Sequence, residues 1–284
     1  MKTILIFGSA GMIGHVVYNY LDSLGKYKLF SSSSNKKISD ETCLLDIRNH
    51  ENVKDYLLSI KPDYVINCAG LLIDDAEKNI EDTILINSLF PNVLSRLGKK
   101  LNFKLIQIST DCVFSGSTGN YSEDSIQDGC SAYARTKTLG EINNNRDLTI
   151  RTSTIGPELK LDGVGLLNWF LNQKGEIFGF DKTYWSGVTT LELAKAIEIL
   201  ITNEITGLYN LTSDEKISKY DLLNLIKEVW RKKNIIVKRN SDGKSDKSLC
   251  SIRTDFKYEV IGYKKMLIEL YEWMQKHNLY QHYF

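Results

Sequence analysis

Residues 2–21 confine the chain to a narrow set of folds. Lys2-Thr-Ile-Leu-Ile-Phe7 is a nearly continuous apolar run that stops at Gly8, the pattern of a strand buried on both faces of a parallel sheet. Gly8-Ser-Ala-Gly11-Met12-Ile13-Gly14 follows at once, and Ile13, Val16, Val17, Tyr20 and Leu21 then recur at helical spacing. Strand, glycine turn and helix in that order form a phosphate-binding site. The glycines let the backbone turn tightly and approach a pyrophosphate, and the helix N-terminus supplies N–H donors and positive potential. A glycine turn holding no ligand is the alternative reading.

Strand-like runs recur at 27–31, 43–47, 64–69, 103–108 and 148–152, with helical stretches at 52–60, about 76–99 and 132–143. This alternation predicts an α/β fold, a doubly wound parallel sheet of the Rossmann type, over residues 1–155. Beyond 155 the pattern loosens. It reads as a helix near 166–171, a loop rich in Gly, Lys and aromatics at 174–187, and a helix at 191–201. A strand at 208–211, a helix at 219–230, a polar loop at 239–247 and a closing helix at 263–276 complete it. Residues 156–186 and 206–284 are expected to form a smaller substrate-binding lobe, with 187–205 packing back onto the first domain.

A net charge of +1 gives no reason to expect a nucleic-acid or membrane partner. Five cysteines without paired spacing point to reduced thiols, and four scattered histidines offer no metal site. No apolar run approaches ~18–20 residues and no signal-like segment opens the chain, so a cytoplasmic location is expected.

The second strand sets the cofactor preference. An acid at its end would favour NADH. Here Ser31-Ser32-Ser33-Ser34-Asn35-Lys36-Lys37 carries no acid before Asp40. Ser32, Ser33 and Lys36 can meet a 2′-phosphate, which favours NADPH and leaves NADH open; a solvated loop is the alternative. Asp46, with Ile47 beside it, is placed to hydrogen-bond the adenine amino group. Asn67-Cys68-Ala69-Gly70 ends the next strand with small residues that leave room for the cofactor. Strand-end turn chemistry explains either segment equally well.

Tyr133-Ala-Arg-Thr-Lys137 puts a phenol and an ammonium on one helix face, and Ser109-Thr110-Asp111 ends an apolar strand before it. An ammonium ~5 Å from a phenolate at an effective dielectric of ~20 stabilises it by ~3 kcal/mol, roughly two pKa units. That would bring Tyr133 toward the range of general acid–base work.

Taken together, these residues resemble an extended short-chain dehydrogenase/reductase, most closely the dTDP-4-dehydrorhamnose reductase group. The matching pieces are Gly8-x-x-Gly11-x-x-Gly14, Pro62-Asp-Tyr-Val-Ile-Asn67, Asn87 and Ser109-Thr-Asp-Cys-Val-Phe-Ser-Gly116. Tyr133-x-x-x-Lys137, Gly140-Glu141 and Arg151-Thr152 follow in order. The chain is also similar to reductases of UDP-2-acetamido-2,6-dideoxy-hexos-4-ulose. The resemblance implies hydride delivery to C4 of a 4-keto-6-deoxy sugar held by its nucleotide diphosphate. Tyr133 would protonate the developing alkoxide, Thr110 would hydrogen-bond the same oxygen, and Lys137 would hold the nicotinamide ribose.

Asp111-Cys112 lacks the glutamate of related dehydratases, which argues against water elimination. Cys112 stands where the rhamnose reductases usually have tyrosine, and it resembles the base of epimerase-reductases, so C3 epimerisation is open. A small packing residue is the alternative. For the diphosphate the candidates are Arg151, Lys182, Lys247 and Arg253, with Arg253 and Lys182 first. Trp185 and Tyr184 would stack on the base, line the sugar pocket or pack in the core. The resemblance leaves a homodimer open. It also leaves open a non-catalytic regulatory subunit, or a reductase or epimerase for another small carbonyl compound.

Overall fold

A computed structural model describes residues 1–160 and 162–284. The first half runs β1 (Lys2–Phe7), α1 (Gly14–Ser23), β2 (Tyr27–Ser33), β3 (Thr42–Leu44), α2 (His50–Ile60) and β4 (Tyr64–Asn67). Next come α3 (Ile73–Lys78), α4 (Ile80–Thr83), a π-helical turn (Ile84–Leu89), α5 (Phe90–Leu101) and β5 (Lys104–Thr110). A 3-10 turn (Asp111–Val113), α6 (Ala132–Leu139), β6 (Leu148–Thr152) and β7 (Thr154–Ile155) follow. The remainder holds α7 (Leu166–Leu171), β8 (Gly175–Phe180), β9 (Thr183–Trp185), β10 (Val188–Thr189), α8 (Thr190–Thr202) and β11 (Gly207–Asn210). It closes with β12 (Ile217–Ser218), α9 (Lys219–Val229), β13 (Ile235–Asn240), β14 (Ser245–Asp246), α10 (Tyr263–Gln275) and a 3-10 turn (Asn278–Tyr283).

Seven parallel strands form the central sheet in the order β11-β6-β5-β4-β1-β2-β3. Alternate residues of β1 feed opposite layers. Ile4 and Ile6 join Val17 and Leu21 of α1 and Ala194 and Ile197 of α8. Leu5 and Phe7 join Val53 and Leu57 of α2 and Phe90 and Leu94 of α5. A separate core gathers α7, α9, α10, β8 and β13 around Phe170, Ile226 and Leu270. The chain lays β2 and β3 to one side of β1 and β4 onward to the other, so the crevice above β1 and β4 is the switch point where such sheets hold ligands.

The sequence pattern misplaced several boundaries. The helix expected at 76–99 is interrupted at Asn79, whose backbone leaves helical geometry, and by the π turn. That turn aims the Asn87 amide at the Leu71 backbone, accepting its N–H at 2.9 Å and donating to its carbonyl at 3.0 Å. The helix expected to reach 143 stops at Leu139 with Gly140 as its C-cap, a position that requires glycine because an added Cβ would fall 1.9 Å from the Asn87 carbonyl oxygen. The loops expected at 174–187 and 239–247 contain β8, β9, β14 and the end of β13. These strands pair across about sixty residues (β8 with β13, β9 with β14), which no local window reveals. Residues 207–210, assigned to the lobe, complete the central sheet as β11. Among the described residues no helix is long and apolar enough to cross a membrane.

Candidate active site

The glycine turn is sterically locked. Gly8 has φ +73°, and an added Cβ would stand 2.6 Å from the Ala69 nitrogen; one on Gly14 would stand 2.2 Å from the Gly8 carbonyl oxygen. Gly11 donates its N–H to the Gly8 carbonyl at 3.0 Å. Met12 and Ile13 are half-buried at the head of α1. His15, not singled out from the sequence, braces the turn: it is fully buried and its Nδ1–H donates to the Gly11 carbonyl at 2.7 Å. Burial, with help from nearby Lys36, lowers it to about 4, so it stays neutral.

Ser32, in register with Phe7 at the end of β2, is fully buried and its Oγ has no partner, an orphan polar group beside the glycine turn. Ser33 is engaged with the Lys36 backbone. The Lys36 side chain is exposed, with its charge felt at His15 beside the turn. The glycine cradle and Ser32 therefore suit a dinucleotide. Asp46 departs from expectation. It lies beyond the end of β3, and Arg48 grips its carboxylate at 2.7–3.0 Å while also reaching Asp82. That pairing holds Asp46 below its ordinary value. Ile47 packs on the α2 side of the sheet. Cys68 and Ala69 lie against the glycine turn, and burial pushes the Cys68 thiol up to about 12. Gly70 faces Asn87, whose amide is occupied in holding the Leu71 backbone.

Three side chains converge at the end of β5. Ser131 caps α6 by accepting the Ala134 N–H at 3.1 Å, which orients Tyr133 and Lys137 toward the sheet. Thr110 Oγ1 accepts the Cys112 N–H at 3.1 Å, donates to Asp111 at 3.2 Å and meets the Tyr133 phenol. Lys137, 7% exposed, donates to the Ile108 carbonyl at 2.7 Å. The electrostatics reverse the sequence expectation. Burial first, then Cys112 and Asp111, raise Tyr133 well above the ordinary phenol range. Burial lowers Lys137 to about 8, against the opposing pull of Glu141 and Cys68. Desolvation dominates here, so Tyr133 is a firmly protonated phenol.

The expected substrate cations separate. Arg151 is fully buried and forked onto Glu141 at 2.9 and 2.6 Å, where Ser109 and Gln127 also donate. It fastens β6 to the end of α6 and is not free for a diphosphate. Arg253 grips Asp255 and the carbonyls of Thr206 and Leu208. Leu208 lies opposite Thr149, three rungs below Thr152 at the Thr110 level, so Arg253 points away from the crevice. Trp185 is a core residue, 3% exposed. Lys182 is exposed at the start of β9. Lys247 is half-buried, and its charge bears on Asp111 and Cys112. Asp111 is buried and pushed above the ordinary carboxylate range, and Cys112 is raised to about 11 by burial and Asp111. Lys219, absent from the sequence candidates, bears on the same pair.

Known proteins share this frame. The family described as RmlD substrate binding domain matches residues 1–247. The dTDP-4-dehydrorhamnose reductase of Escherichia coli (strain K12) is 27% identical over 244 residues, covering 82% of this chain and 79% of the relative. Methionine adenosyltransferase 2 subunit beta of Xenopus tropicalis is 25% identical, covering 77% and 69%. The crystal structure of dTDP-4-dehydrorhamnose reductase from Bacillus anthracis str. Ames, in complex with NADP, superposes with a TM-score of 0.82 at 21% identity, covering 96% of this chain and 99% of that one.

Proposed function

The chain belongs to the RmlD substrate-binding-domain family, and from that premise we propose that it reduces the C4 ketone of a nucleotide-activated 4-keto-6-deoxyhexose, with NADPH as reductant. The observation that carries the reading is the meeting of Thr110, Tyr133 and Lys137 at the strand end beside the glycine cradle. When bound in that cradle, NADPH supplies the hydride. Thr110 and Tyr133 would hold the ketone oxygen between two hydroxyl donors. Tyr133, kept protonated by burial, gives its proton to that oxygen as negative charge develops on it. Lys137, fixed by the Ile108 carbonyl, would hold the nicotinamide ribose while it keeps its proton. Ser32 and Lys36 favour the 2′-phosphate of NADPH over NADH.

The setting of Cys112 supports reduction without C3 epimerisation. With its thiol raised to about 11, it holds its proton through the neutral range and is a poor base. Likeness to methionine adenosyltransferase 2 subunit beta raises a second reading, a non-catalytic regulatory subunit. The assembled proton-transfer group favours catalysis, since binding alone does not require it. Mixing the protein with NADPH and a dTDP- or UDP-linked 4-keto-6-deoxyhexose tests the proposal. Oxidation of NADPH with formation of the 4-hydroxyl sugar nucleotide is expected with one of the two, and silence with both would refute it.

A further inference from the structure

The first turn of α9 carries a charge that its own helix does not explain. Ser218 caps the helix, accepting the Asp221 N–H at 3.0 Å and donating its hydroxyl to the Asp221 carboxylate at 2.6 Å. Lys219 is the first helical residue, where the helix dipole opposes a cation. Its ammonium lies half-buried, 5.4 Å from the centre of the Trp185 ring. Among the described residues no carboxylate stands within ion-pair distance of it, whereas neighbouring Lys216 is paired with Asp246 at 2.5 Å. Burial depresses Lys219 while Asp111 and Cys112 draw it the other way, so the ammonium looks toward the 3-10 turn that follows Thr110. Three features thus oppose a positive charge here: the helix terminus, the burial and the missing partner. A half-buried ammonium with no carboxylate in ion-pair reach is poorly compensated. A bound anion would offset all three.

We propose that Lys219 binds a phosphoryl oxygen of the substrate's nucleoside diphosphate, acting with Lys247, whose charge bears on the same Asp111–Cys112 pair. The inference rests on the nucleotide-sugar reading above. An unpaired ammonium calls for a charged ligand group rather than a sugar hydroxyl, and the diphosphate is the charged part of such a substrate. Arg151 and Arg253, the guanidinium candidates, are committed within the chain. The Trp185 ring lies 5.4 Å from the ammonium, so the charge has a fixed neighbour before the ligand arrives.

Calorimetric titration with UDP, dTDP, uridine and thymidine separates the outcomes without relying on turnover. The wild-type protein should bind one diphosphate far more tightly than its nucleoside. Lys219→Met, which keeps an aliphatic stem against Trp185, should weaken that diphosphate by about 10- to 100-fold and leave the nucleoside unchanged. Lys219→Arg should recover most of the loss, and Lys219→Gln, as a second neutral variant, should match Lys219→Met. A diphosphate bound equally well by both neutral variants overturns the inference alone, as does an equal loss for nucleoside and diphosphate. A wild-type protein that prefers neither diphosphate to its nucleoside overturns both the inference and the nucleotide-sugar reading.

Discussion

On one side of Thr110, Arg151 and Glu141 are both buried, forked together, and joined by donors from Ser109 and Gln127. On the other side, Lys219 and Lys247 both act through space on buried Asp111, and among the described residues no salt bridge joins either lysine to it. The first cluster is satisfied from within the chain and ties β5, β6 and the end of α6 into one rigid floor. The second holds buried charge without matching it. The difference teaches which cations serve the fold and which await a ligand: a closed network leaves nothing to recognise a substrate, and an open one does.

The same substitution on the two sides should separate them most sharply. Arg151→Met leaves Glu141 buried and unpaired and should cost about 3–5 kcal/mol of folding stability by denaturant titration. Lys219→Met in the free protein should show no such loss, because it removes a charge that burial already disfavours. Equal destabilisation by the two would break the comparison. Next in size is pH. Lys137 is lowered to about 8, so its charge is present below that pH and lost above it. The kcat/KM for reduction should therefore fall by about tenfold per pH unit above about 8. A profile flat to pH 10 would detach Lys137 from the reaction. The smallest effect is expected at Lys247, half-buried like Lys219. Lys247→Met should raise KM by roughly tenfold, with kcat and thermal midpoint nearly unchanged.

Local chemistry explains why so much of the first half was legible. The glycine turn, the buried strands and the Tyr133–Lys137 pair each declare themselves within a few residues. Partner choice does not. Nothing near Arg151 in sequence marks Glu141 as its sink, and nothing near Arg253 says that it will clamp the carbonyls of Thr206 and Leu208. The tuning of Tyr133 was misread because spacing supplies the ammonium and says nothing of desolvation, which prevails once α6 packs on the sheet. Lys219 had one sequence signal, a cation placed directly after a serine cap where a helix start prefers acids. It passes for an ordinary surface lysine until β9 brings Trp185 beneath it.

The claim at the centre is that Tyr133 is the proton donor to a sugar-nucleotide ketone. The direct measurement is the single-turnover rate of NADPH oxidation by wild type and Tyr133→Phe, with cofactor affinity measured on both. The rate should drop by about 10²- to 10⁴-fold while NADPH binding is retained. An undiminished rate in Tyr133→Phe would contradict the assignment, whatever sugar nucleotide the protein accepts.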